Sequence, residues 1–218
     1  MKYDHKNLQI TCDGGAATGK STGAKMIAKK YNLSFLSSGL LYRYASLLIL
    51  KYEPKNKISF IKSKFKDLNY KKINKINLHT PEISTQSAKI AKILSVRNIL
   101  KKFQKDFIGK NTRCVLEGRD ASTKILPASD VKFFFICNLN IAAKRRYKEL
   151  KKNNPKIHFV DVKKALKLRN ISDKKRKHSP LKKHKNAVVV DTGKLNKHAM
   201  MAKMSKFVER ALKKKYGN

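Results

Sequence analysis

The stretch LQITCDGGAATGKSTGAKMIAKK, residues 8–30, limits what this chain can fold into more than any other part of it. Gly14, Gly19, Lys20 and Ser21 fit the spacing G-x-x-x-x-G-K-[ST], which carries chemistry only where it joins a strand to a helix. Residues 8–13 are a short apolar run that reads as a buried strand, and after Lys20 the residues Ala24, Ile27 and Ala28 fall on one side of a helix. Between them Gly14, Gly15, Ala16, Ala17, Thr18 and Gly19 form a loop of small residues whose backbone N–H groups can close around phosphate oxygens. The helix N-terminus adds partial positive charge there. Lys20 would reach the outer phosphates, the Ser21 hydroxyl would ligate Mg²⁺, and Thr22 lies in the same first turn. The pattern predicts a bound nucleoside triphosphate.

Further along, apolar strand-like runs alternate with helical ones. NLSFLSS reads as a strand and GLLYRYASLLIL as a helix; RCVLEGRD is a strand ending in glycine and charge, and DVKFFFICN has the continuous apolar character of a central parallel strand. The segment from Pro81 to Gly109 has the pattern of two helices meeting near Leu94 and Ser95. IAAKRRYKELKK and DVKKALKLRNISDKKRK read as helices on either side of the loop NNP at 153–155, NAVVVDT as a buried strand, and KHAMMAKMSKFVERALKKK as a closing amphipathic helix. Residues 51–80, rich in Lys and Asn with weak apolar patterning, read as a poorly defined insertion over the surface. Alternation of this kind predicts a parallel sheet covered on both faces, with the ligand beyond the carboxyl ends of the strands. Four polar groups fall at such ends: the glycine loop, Ser37-Ser38-Gly39 leading to Arg43, Gly118-Arg119-Asp120, and Asp191-Thr192.

The chain has 218 residues, enough for one domain with a full core, and 53 Lys+Arg against 14 Asp+Glu give a net charge of +39. Such charge draws any polyanion at low salt. The lysines are spread through nearly every segment and no recognisable nucleic-acid module accompanies them, so a specific nucleic-acid partner is not expected. No apolar run is long enough to span a bilayer and MKYDHKNLQI lacks a secretory apolar region, so a cytoplasmic protein without a membrane partner is expected. Cys12, Cys114 and Cys137 lie at or near the ends of apolar runs, which suits buried thiols in a reducing compartment.

Taken together, DGGAATGKST, SSGLLYR, TPEISTQSAKIAKILSVR, LEGRDASTKILPASDVKFF, AAKRRYKEL, LRNISDKKRKHSPL and VVVDT make the chain resemble the bacterial cytidylate kinases, over nearly its whole length apart from residues 51–78. The resemblance implies an α/β fold: a five-stranded parallel phosphate-loop kinase core with helices on both faces. Within the single domain 1–218 it implies a reduced insertion plus monophosphate-binding helices at 51–107 and a small lid at 145–178. It also implies transfer of the ATP γ-phosphoryl to CMP or dCMP with Mg²⁺, by a protein expected to be a monomer.

Carried over by position, Gly14 to Thr22 would hold ATP, and Arg145 and Arg146 would close over its phosphates from the start of the lid. Arg43, Arg119, Arg169 and Arg176 would gather round the CMP phosphate and the transferring group. Ser38 falls at a contact to CMP, Asp173 would face the sugar, and Arg97 and Asp120 would read the base. The family usually has Asp where this chain has Ser37, Arg at His79, Gly at Ser122 and Ser at Ala88, a cytosine contact. Asp173 lies four residues after Arg169 and three before Arg176, on one helical face with both. Two other readings stay open on the residues alone: a kinase of another small acceptor, such as a different nucleotide or shikimate, and a nucleic-acid-binding protein on a kinase scaffold.

Overall fold

The computed structural model describes residues 5–74, 76–152 and 154–217. Five strands form one all-parallel sheet: β1 (Leu8–Gly14), β2 (Ser34–Ser37), β3 (Arg113–Gly118), β4 (Val131–Ile136) and β5 (Val188–Asp191), in the order β2-β3-β1-β4-β5. The glycine loop leaves the central strand and runs into α1 (Lys20–Lys30). On that face of the sheet lie α1 and α9 (Lys197–Tyr216). Side chains alternate along each strand. Leu8, Ile10 and Cys12 of β1 and Val131, Phe133 and Phe135 of β4 therefore pack with Ile27, Met204 and Val208.

The opposite layer is built from α2 (Ser38–Tyr52), α3 (Lys57–Lys66), a single turn α4 (Tyr70–Ile73), α5 (Pro81–Ile90) and α6 (Leu94–Lys110), which bury Leu41, Ile61, Phe65, Leu78, Ile83 and Leu100 against Leu36, Cys114 and Leu116. Thr80 caps α5 by accepting from the Ile83 N–H, with Pro81 at the first helical position, and the expected break falls at residues 91–93. Two further helices, α7 (Leu139–Lys151) and α8 (Phe159–Lys175), pack on each other beyond the carboxyl ends of the strands. No helix among the described residues is long and apolar enough to cross a membrane.

Three expectations change. Residues 51–80 are not a loose surface segment: Ile61 and Phe65, four residues apart, project from one side of α3 into the core, and Ile73 and Leu78 are buried too. The lysines between them face solvent and dilute the apolar signal; Lys75 lies outside the described residues. The Tyr70 hydroxyl even accepts from the Ser37 N–H at 2.8 Å, tying this segment to the carboxyl edge of the sheet. β5, read as buried, is an edge strand in which only Val190 is fully covered. Lastly, β4 alternates: Val131, Phe133 and Phe135 are buried while Ile136 is exposed at the strand end. Of the loop at 153–155, Asn153 lies outside the described residues. Cys12 and Cys114 are buried free thiols as expected, whereas Cys137 is only partly covered.

Candidate active site

The loop after β1 is held open by its backbone. Gly19 precedes α1 with φ +78°, a left-handed conformation that a side chain resists, and a Cβ there would press on Thr192 at 3.3 Å. Ala17 also has positive φ, 57°, the kind of strain that surrounding structure must hold in place. Thr192, just past β5, supplies such support. Its hydroxyl donates to the Thr18 carbonyl at 2.8 Å and accepts from the Arg145 guanidinium at 2.9 Å. A second Arg145 N–H reaches the Thr192 carbonyl at 2.7 Å.

Lys20 is buried. Its Nζ lies 3.3 Å from Glu117 Oε1 and donates to the Gly15 carbonyl at 3.3 Å. Burial, and after it the repulsion of Arg119, pull the ammonium down to about 8 in spite of Glu117. Glu117, also buried, would be raised by desolvation, but Lys20 and the hydroxyls of Ser37 and Ser21 bring it below the ordinary carboxylate range. This carboxylate escaped the sequence reading, although one acid inside the apolar run RCVLEG was the available sign.

A cleft of about 1040 Å³ opens between the loop, α5 and the α7–α8 pair. Ala16, Ala17, Thr18, Gly19, Lys20, Ser21 and Thr22 form its floor, Ala88 and Ser84 of α5 one wall, and Arg145, Arg146 and Arg169 the other. Arg169 donates to the Ser84 carbonyl at 3.1 Å and to the Ser87 hydroxyl at 3.3 Å, and Arg146 donates to the His79 carbonyl at 3.0 Å, so the walls touch. Behind α5, Arg43 donates to the Leu78 carbonyl and the Ser84 hydroxyl. Burial followed by Arg169, Arg146 and Arg119 lowers Arg43 to about 9, and burial followed by Arg119 lowers Arg169 to about 10. The Arg169 Nε is buried with no hydrogen-bond partner among the described residues. Partial burial, followed by Arg43 and Arg146, brings the half-exposed His79 down to about 4.

The remaining predicted residues form a buried ladder rather than part of the cleft wall. Arg119 Nε pairs with Asp173 Oδ2 at 2.9 Å, Arg176 lies 3.6 Å from Asp173 and 3.7 Å from Asp120, and Asp120 accepts from Arg97. The Arg97 guanidinium stacks on Tyr42 at 5.7 Å. Burial would raise Asp173, but Arg119, Arg169 and Arg176 hold it below the usual range. The Asp120 side chain caps nothing; it serves the arginines. Arg176 requires one correction: α8 ends at Lys175, and Arg176 has extended backbone, so it meets Asp173 from beyond the helix and not along its face. Ser38, buried at the start of α2, has its hydroxyl where a Cβ on Gly118 would be 2.8 Å away. Ser122, in the π-helical turn Ala121–Ile125, donates through both N–H and hydroxyl to the buried Asp13.

A glycine loop between the central strand of a parallel sheet and its helix, a buried lysine, and arginines converging on one cleft define a phosphate-loop kinase. The solved structure of an uncharacterized Eubacterium ventriosum protein has the same fold, with a TM-score of 0.55, 15% identity, and coverage of 94% of this chain and 99% of that one. The chain belongs to the cytidylate kinase family: the family model described as cytidylate kinase matches residues 10–210. Among curated relatives it is 36% identical to the cytidylate kinase of Thermosipho melanesiensis, covering 94% of this chain and 98% of that protein. It is 34% identical to that of Bartonella tribocorum, covering 95% and 97%.

Proposed function

We propose that the chain is an ATP-dependent cytidylate kinase that moves the γ-phosphoryl group of ATP to CMP or dCMP. One observation carries the reading: Arg43, Arg146 and Arg169 converge on Ser84 and the His79 carbonyl at the wall of the cleft floored by Lys20, where burial and then the neighbouring guanidinium groups lower Arg43 and Arg169. Several cations held together on one concave surface suit a ligand with more than one phosphate.

The acceptor phosphate is already anionic near neutral pH, with a second pKa of about 6, so no general base has to make a nucleophile. The obstacle is repulsion between two anions. Cations must hold the phosphates in line and neutralise the transferring oxygens. In this reading residues 14–22 cradle ATP, and Lys20 leaves Glu117 for the β- and γ-phosphates. Arg43, Arg119, Arg169 and Arg176 hold the CMP phosphate and the group in flight. Arg145 and Arg146 belong to a lid at 145–178, while the helices within 51–107 receive the monophosphate. Ser38 and Asp173 contact CMP. Asp120 and Arg97, already side by side, offer a carboxylate for the cytosine N4 amino group and a guanidinium for N3 and O2.

Mg²⁺ fits the residues present. Ser21, in the first turn of α1, has its hydroxyl on Glu117. A hard cation held by one hydroxyl, phosphate oxygens and water suits that donor set. When bound, it supplies charge neutralisation at the phosphates.

The test is turnover with ATP and Mg²⁺ against CMP, dCMP, UMP, AMP, GMP and shikimate. CMP and dCMP should be the best acceptors by kcat/KM. Preference for any other acceptor, or tight RNA binding without turnover, overturns the assignment.

A further inference from the structure

The Asn170 side chain of α8 reaches across to the glycine loop, where its Oδ1 accepts from the Ala16 N–H at 3.0 Å. The contact is built in: a Cβ on Gly15 would lie 3.1 Å from the same oxygen, so the second glycine of the loop makes room for it. Because Ala16 offers an N–H, the accepting atom is the carboxamide oxygen, an sp² oxygen in the place where the loop presents an amide to phosphate. The neighbouring Arg169 points about 100° away around the helix, to the Ser84 carbonyl and Ser87 hydroxyl of α5. Two consecutive residues of one helix thus hold the triphosphate loop and the acceptor-side helix together.

We propose that Asn170 is a positioning residue that couples triphosphate binding to the placement of Arg169: its carboxamide holds the Ala16 amide in the free protein and yields it to a phosphate oxygen. The inference rests on the reading of residues 14–22 as the ATP site. A neutral carboxamide is suited to the exchange, since its hydrogen bond is weaker than the charge-assisted one that a phosphate makes. Beside the contact lies a cavity of about 280 Å³, lined by Ala16, Thr18, Cys137, Lys167, Asn170 and Ile171, into which the displaced side chain can turn. Release of Asn170 loosens α8 from the loop, and Arg169 moves with the helix toward the acceptor.

The test is calorimetric titration of the full chain with the Mg²⁺ complex of the β,γ-imido analogue of ATP, for the wild type, Asn170→Ala and Asn170→Asp, with thermal melts to confirm folding. Losing a competitor worth one hydrogen bond, Asn170→Ala should bind the analogue about two- to ten-fold more tightly. Asn170→Asp should bind it more weakly than wild type, because a carboxylate keeps the Ala16 amide and repels the triphosphate. Bound analogue should alter CMP affinity in the wild type and alter it less in Asn170→Ala. Weaker analogue binding by Asn170→Ala, or unchanged affinities in both variants, overturns the proposal. Asn170→Ser, too short to reach Ala16, repeats the comparison if Asn170→Ala does not fold. Failure of the wild type to bind the analogue would instead overturn the phosphate-loop reading itself.

Discussion

Lys20 gives activity and stability opposite responses to alkali. Its ammonium is depressed from 10.5 to about 8 by burial. Between those values the folded chain carries a neutral amine while the unfolded chain still binds the proton, so stability at this site rises with pH. ATP affinity should fall over the same interval as the cation disappears. A pH series of ATP binding and of melting temperature on one sample would show the two trends crossing. Lys20→Ala should keep its circular dichroism and lose about 10²-fold or more in kcat. Asp120 has a larger structural share than a base contact alone would give it. Asp120→Ala leaves Arg97 and Arg176 facing each other in a buried site, and should cost about 3–5 kcal/mol in denaturant titration as well as raising KM for CMP more than for ATP. Ala88 lines the cleft, and Ala88→Ser should improve kcat/KM for CMP by about 0.5–1.5 kcal/mol, with less gain for other bases. The glycine loop is legible from motif spacing, whereas the arginines and both aspartates are named in the sequence only through the resemblance, which assigns them one by one. The ladder between them is not legible. Pairing of Arg119 with Asp173, or of Asp120 with Arg176, depends on how far α8 swings over β3, and no local pattern records that.

At the scale of elements, α3 is the part whose composition misleads most. In KISFIKSKFK only Ile61 and Phe65 are buried, and Phe65 meets Tyr44 and Phe103 at 6.0 Å each. Two apolar residues one turn apart are enough to anchor a helix when the partner surface already exists, and too few to stand out among lysines. Ile61→Ala and Phe65→Ala should therefore each cost about 2–5 kcal/mol by denaturant titration. A loosely attached segment would show almost no change. The same logic explains the elements that were read correctly: α6 and α9 carry their apolar stripes over about three turns, α1 is announced by the glycine loop before it, and β1 and β3 are bounded by glycine at the carboxyl edge. The π-helical turn Ala121–Ile125 had no such signal, because its shape follows from Asp13 receiving the Ala121 and Ser122 N–H groups.

For the whole molecule, the net charge of +39 bears on how substrates arrive rather than on the fold. ATP and CMP are anions, so ATP association should slow by about ten-fold or more when ionic strength rises from about 0.01 M to about 0.15 M and the Debye length falls from about 30 to about 8 Å. Stopped-flow measurement should find that slowing, with kcat nearly unchanged. The way the glycine loop is completed governs something else, the life of the chain during synthesis. Thr192 reaches back 174 residues to Thr18. At about 5–20 residues per second, a nascent chain waits roughly nine to thirty-five seconds between making the loop and making the residue that braces it. Only a chain extended past Thr192 can brace the loop in this way, so stabilisation by bound ATP should begin after that residue is made, and a chain ended before it should meet cellular proteases without that protection.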